Sequence, residues 1–117
     1  PVNPADITRV SVPVGGSATQ EAQALLGDGV KVVAAFQNIS FTHLKKLDSP
    51  IDCDVLVCGN DAGAKQTALQ LIQDAGMRGF DAGPVENAIV VEGLTSVLLA
   101  INKRHKIKGA GIRITGL

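Results

Sequence analysis

Residues 53–65 read Cys53-Asp-Val-Leu-Val-Cys-Gly-Asn-Asp-Ala-Gly-Ala-Lys65. Residues 54–58 (DVLVC) form a short apolar run, and a run of this kind suits a strand covered on both faces. Gly59-Asn60-Asp61 then turns the chain, and an Asp side chain can accept the free N–H groups of a first helical turn. The helix expected over residues 62–75 places Ala64, Ala68, Leu71, Ile72 and Ala75 on one face, with Lys65, Gln66, Gln70 and Gln73 on the others. Gly76 ends it.

The same alternation runs outward in both directions. Upstream, residues 30–36 (VKVVAAF) are a second nearly continuous apolar run. A short helix is expected over residues 41–47, broken by Asp48-Ser49-Pro50. The first strand is expected over residues 8–12, closed by Pro13. After the Val14-Gly15-Gly16 loop, Ser17 and Gln20 have the spacing of a capping box, opening a helix over residues 18–26 that ends at Gly27 and Gly29. Downstream, residues 77–81 are a third short strand. Gly83-Pro84 starts the longest helix, residues 85–105, whose end carries Lys103, Arg104, His105 and Lys106 to complement its dipole. Residues 108–117 are glycine-rich and β-branched, and are expected to form a loop and a final extended segment. Strands alternating with helices predict an α/β fold, an open and mostly parallel sheet flanked by helices, in one domain over residues 1–117.

Composition narrows the function classes. The chain of 117 residues has 11 basic and 11 acidic residues, so no electrostatic footprint for nucleic acid is expected. Three Phe with no Trp or Tyr offer little for stacking single strands. No apolar run approaches the length of a bilayer span, and residues 1–6 do not read as a leader, so no membrane partner and a cytoplasmic location are expected. The chain lacks an initiator Met, which favours a fragment of a longer protein. Cys53 and Cys58 are five residues apart on a strand, hence on opposite faces, and are expected to be buried reduced thiols.

Side-chain catalysis has few candidates. His43 and His105 are the only histidines, each read as a solvated surface residue, and neither has a partner at metal spacing. No serine lies in a nucleophile elbow. Glu86 and Glu92 do not share a helix face cleanly, which leaves paired-carboxylate chemistry without support. What remains is backbone: glycine turns after strands at Gly59-Asn60 and Gly83-Pro84, and a cluster at Gly109-Ala110-Gly111. Neither a dinucleotide fingerprint nor a P-loop occurs, and Gly15-Gly16-Ser17 reads as a flexible turn.

Four blocks carry a resemblance: VVAAFQNIS (32–40), CDVLVCGNDAGAK (53–65), DAGPVENAIVVEGLTSVLLAIN (81–102) and KGAGIRITGL (108–117). In this order they resemble the C-terminal half of the NADPH-dependent F420 reductases, which pass a hydride between NADP and coenzyme F420, an 8-hydroxy-5-deazaflavin. The strand–GND–helix–DAGP–helix order also looks like the end of the Rossmann domain in hydroxyacid dehydrogenases and membrane ferric reductases. The resemblance implies that an N-terminal NADP-binding Rossmann half is missing. It implies that the half present completes the sheet, forms much of the deazaflavin pocket and supplies a dimer surface on its long C-terminal helix. Cofactor contacts are implied at Gln37, Asn38 and Ile39, and in a closing loop at Ala110, Gly111 and Ile112. Some members have His where this chain has Gln37, and Gln cannot change charge.

The absence of acids and bases fits hydride transfer, in which the cofactors carry the chemistry and the protein supplies orientation and dipoles. Each residue also has a plainer reading: Asn38 as a helix cap, Gly111 as a turn, Ala110 and Ile112 as packing. Three functions are therefore expected to compete. The first is a reductase part that needs its missing half. The second is a non-catalytic half-Rossmann module for binding or dimerisation. The third is a related dehydrogenase or ferric reductase domain. Loss of half a sheet exposes an edge and an apolar face, so association is expected.

Overall fold

The computed structural model describes residues 1–46 and 48–117. Two small sheets are flanked by four helices. Strands β1 (Val2–Asn3) and β2 (Asp6–Val10) form an antiparallel hairpin. Helix α1 (Ala18–Leu26) follows, then β3 (Val33–Ala34), α2 (Phe41–Leu44), β4 (Asp54–Gly59), α3 (Ala62–Asp74) and β5 (Arg78–Asp81). A 3-10 turn, Val85–Asn87, leads into α4 (Ala88–His105).

The second sheet has the order β3-β4-β5 and is mixed. β4 and β5 are parallel, with Val55 opposite Gly79, whereas β3 runs antiparallel to β4, with Ala34 opposite Cys58. This corrects the expectation of one mostly parallel sheet. The expected first strand lies in the separate hairpin, and of residues 30–36 only Val33 and Ala34 enter a ladder. The reason is local. The Gln23 side chain donates to Gly27 O and Val30 O and accepts from Val32 N, so a side chain takes the backbone bonds that a neighbouring strand would make. Phe36 then turns the chain with φ of 62°.

β4 is buried on both faces, as its apolar run predicts. Val55 and Val57 pack with Ile72 of α3 and with Met77, while Cys58 packs with Ala34 and with Ala88 and Val91 of α4. The caps follow the sequence. Ser17 Oγ accepts from Gln20 N at 3.0 Å and Asp61 Oδ2 from Ala64 N at 2.8 Å. Gln20 does not complete the capping box, because its Oε1 is buried without a partner. On α3, Leu69 packs inward in place of the expected Leu71, which is 59% exposed. The helix begun at Phe41 ends at Leu44, and Leu47, the last residue of its expected span, lies outside the described residues.

The hairpin rests on α4. A side chain at Gly93 would meet Val10 at 3.3 Å, and Ser96 Oγ donates to Arg9 O at 3.1 Å. Residues 85–105 correct one further expectation. With mean hydropathy 1.4 over 18 residues, this helix is long and apolar enough to cross a membrane by length and composition. Scattered polar residues interrupt its apolar stretches, so no unbroken apolar run marks it in the sequence. In this fold it is a core helix that buries Ala88, Val91, Glu92, Gly93, Ser96 and Leu98.

Candidate functional site

A cavity of about 500 Å³ opens between the turn after β3, the middle of α4 and the tail that follows α4. Ligand pockets span roughly 300–1,000 Å³, so this one admits a small aromatic ligand. Three features build it. The positive φ of Phe36 swings residues 37–40 away from the sheet and over α4. There Thr95 Oγ1 donates to Gln37 O at 2.7 Å, while Asn38 Nδ2 donates to Val91 O at 3.0 Å and to Thr95 Oγ1 at 3.4 Å. The turn is therefore fastened to the helix by two side chains. Ser40 caps α2, whose first residues Phe41 and Thr42 extend the wall.

α4 supplies Thr95, Leu98, Leu99 and Asn102, which share one face by their spacing of three, four and seven. The third wall is the tail, through Ile107, Lys108 and Ala110. Lys106 adopts φ 56° and ends α4, after which Asn102 Oδ1 accepts from Ala110 N at 2.8 Å and His43 Nε2 lies 3.3 Å from Gly109 O. His43 is thus half-buried against the tail, which corrects its reading as a solvated residue. His105 is exposed.

Four of the six expected site residues meet in this cavity: Gln37, Asn38, Ile39 and Ala110. Gly111 and Ile112 do not line it. Gly111 passes over Cys53, whose Sγ would lie 2.7 Å from a Cβ at this position, and Ile112 O accepts from Asp54 N at 2.8 Å. Asn38 is not a helix cap, since Ser40 fills that role. Its Oδ1 is buried without a partner, because Val91 O requires the amide nitrogen on the other side. The α4 residues escaped the sequence reading. Their signal was a helix face with Thr and Asn bracketing two leucines, and it pointed to packing as readily as to a cavity.

Among the described residues the cavity has no acidic lining residue, and Lys108 is its one charged one. A second cation, Lys45 Nζ, lies 5.0 Å from the centre of the Phe41 ring at the rim. Cys53 and Cys58 are free and buried, and burial pushes both thiols above their ordinary range, which keeps them protonated and unreactive. Among the described residues no three His, Cys, Asp or Glu side chains gather to hold a metal.

No family model matches the chain. Among curated proteins it is 44% identical over 111 residues to the F420-dependent NADP reductase of Methanocaldococcus jannaschii, an alignment covering 94% of this chain and 49% of the relative. The chain is homologous to F420-dependent NADP reductases. The reductases of the same name from Methanothermobacter thermautotrophicus and Methanothermobacter marburgensis are 38% and 41% identical over 104 residues. Those alignments cover 88% and 87% of this chain and 45% and 46% of the relatives. The chain spans about half the length of the curated relatives it matches. Homology over nearly all of its residues reaches every element around the cavity.

Proposed function

We propose that this chain is the deazaflavin-binding half of an enzyme that transfers a hydride between NADP(H) and coenzyme F420. The observation that carries this reading is the 44% identity over 94% of the chain to a protein named for that activity. The cavity supports it chemically. Ile39, Phe41, Leu98, Leu99, Ile107 and Ala110 are apolar and exclude water, while amide and hydroxyl groups stand at the edges. A flat ring with polar edges matches such a lining. When bound, the deazaflavin supplies the ring carbon that exchanges the hydride. Gln37, Asn38 and Ile39 orient it from one side and Ala110 from the other, while Gly111 and Ile112 carry the tail into place.

NADP does not fit this half. The Gly15-Gly16-Ser17 turn opens a helix as a phosphate site would, but the amides are taken. Ala18 N and Thr19 N donate to Glu92, and Gln20 N donates to Ser17. The proposed NADP site therefore lies in a further N-terminal half, about as long again as this chain, and the hydride passes in the cleft that the two halves of a cytoplasmic enzyme share. A second copy is the other proposed partner. Val90, Val97 and Ile101 on α4 are 70%, 45% and 38% exposed and form one stripe, which also favours the reading of a dimerisation module.

The test is titration of the purified chain with coenzyme F420, followed by the coenzyme's own fluorescence, with NADP as the control. Saturable binding that an Ile39→Arg substitution abolishes supports the deazaflavin reading. A folded chain that leaves F420 unaffected, yet self-associates through α4, returns the protein to the non-catalytic module.

A further inference from the structure

The tail after α4 belongs to no sheet, yet it is one wall of the cavity. Something must hold residues 107–114 in a single path, and the structure shows two anchors. At the cavity end, Ala110 N donates to Asn102 Oδ1 and Gly109 O lies against His43. At the far end three bonds run through the first residues of β4 and β5. Asp54 N donates to Ile112 O at 2.8 Å, Ile114 N donates to Asp54 Oδ2 at 2.7 Å, and Arg78 Nη2 donates to Ile114 O at 3.1 Å. Arg78 also grips Asp54 with both arms, Nε to Oδ1 at 2.9 Å and Nη2 to Oδ2 at 2.6 Å. Arg113 of the tail pairs with Asp52 beside them.

We infer that Asp54 and Arg78 are positioning residues for the cavity: together they latch the tail, and the latch sets the position of the wall at Ala110. This rests on the deazaflavin reading only for the identity of the ligand. Asp54 is a buried charge, its side chain 2% exposed, and a lone buried carboxylate is costly. The Arg78 fork offsets that cost, and Oδ2, which already accepts from Nη2, takes the Ile114 amide as well. Between the two anchors the strap runs flat over Cys53, with room at Gly111 for backbone alone. A stretch so short and so tightly seated shifts as a unit, so loosening one anchor loosens the other.

Amide hydrogen exchange on the whole chain tests this without ligand. The readout is Ala110, whose amide touches neither latch residue. In Arg78→Gln, exchange at Ile114 and at Ala110 is expected to rise together by roughly tenfold, with Val57 and Leu98 unchanged. Arg78→Lys, which keeps the charge but not the two-armed fork, is expected to fall between. Ile114→Pro removes the amide that Asp54 accepts while leaving the Asp54–Arg78 pair whole, and is expected to free Ala110 equally. An Ala110 amide that stays protected when the Ile114 amide opens in Arg78→Gln, or that stays protected in Ile114→Pro, overturns the latch. F420 affinity, measured in parallel, is expected to fall with Ala110 protection. If the unaltered chain binds no F420 but the variants show the coupled exchange, the function proposed above fails and the latch stands.

Discussion

The carboxylate of Glu92 on α4 accepts the backbone N–H of Ala18, the first residue of α1, at 3.1 Å, and that of Thr19 at 3.4 Å. Glu92 is 6% exposed and serves as a remote cap, since a helix N-terminus attracts negative charge. It ties the start of the chain to its longest helix.

Glu92→Ala is therefore expected to destabilise the fold by about 1–3 kcal/mol, the cost of leaving buried donors unpaired. Glu92→Gln, with one acceptor oxygen in place of two, is expected to lose less. Urea denaturation of the three proteins checks the order. Equal midpoints for all three would show that water caps α1 as well as Glu92 does.

Asn38 leads to a second prediction. Its amide nitrogen faces the Val91 carbonyl, so a carboxylate there would set two acceptors against each other. Asn38→Ala is expected to cost about 1–3 kcal/mol and Asn38→Asp more at neutral pH. The gap should close as the pH falls below the carboxylate range, because a protonated Asp can donate again. Thermal melts at neutral and acid pH read this out, and a gap independent of pH would refute it.

These two residues show where the sequence was legible and where it was not. Ser17, Asp61 and Gly27 announced their helices because capping is decided within four residues of chain. The unbroken apolar run of β4 announced its two covered faces. Glu92, by contrast, acts on a helix 74 positions away, and nothing near it in sequence marks it as a cap. The apolar run at residues 30–36 promised a full strand, but Gln23 claimed its backbone. The cavity was legible only in part. Gln37, Asn38, Ile39 and Ala110 came from a resemblance, while the α4 wall and the Asp54–Arg78 latch depend on which surfaces fold together.

Asp54 makes the third prediction. The Arg78 guanidinium, and after it the Ile114 amide, hold its carboxyl below the ordinary range against the opposing effect of burial. A folded-state pKa below the unfolded one adds stability that is complete above the unfolded value, about 3.9 for Asp. That stability is lost as the pH falls through the folded value. The melting temperature is expected to hold from pH 7 to about 5 and to drop below about pH 4, partly through this group. In Asp54→Asn the plateau should be lower and the acid slope shallower. A slope unchanged by the substitution would assign the acid sensitivity to other carboxylates.

The last prediction concerns the contact between Gly111 and Cys53. A Cβ at residue 111 would lie 2.7 Å from Cys53 Sγ and 3.1 Å from its Cβ, closer than packed atoms allow. Since the thiol is buried and the strap is held on both sides of Gly111, neither can retreat without breaking a bond. Gly111→Ala is thus expected to cost about 1–3 kcal/mol, as overpacking does. Cys53→Ala alone should cost less, since it removes one sulfur. The double variant is the informative one. With the sulfur gone the new methyl regains most of its space, so the two changes together should cost less than their sum. A coupling of this sign, read from denaturation midpoints, places the strap on Cys53 in solution. Strict additivity would mean that the tail leaves the sheet there and that the wall at Ala110 is held from the Asn102 side alone.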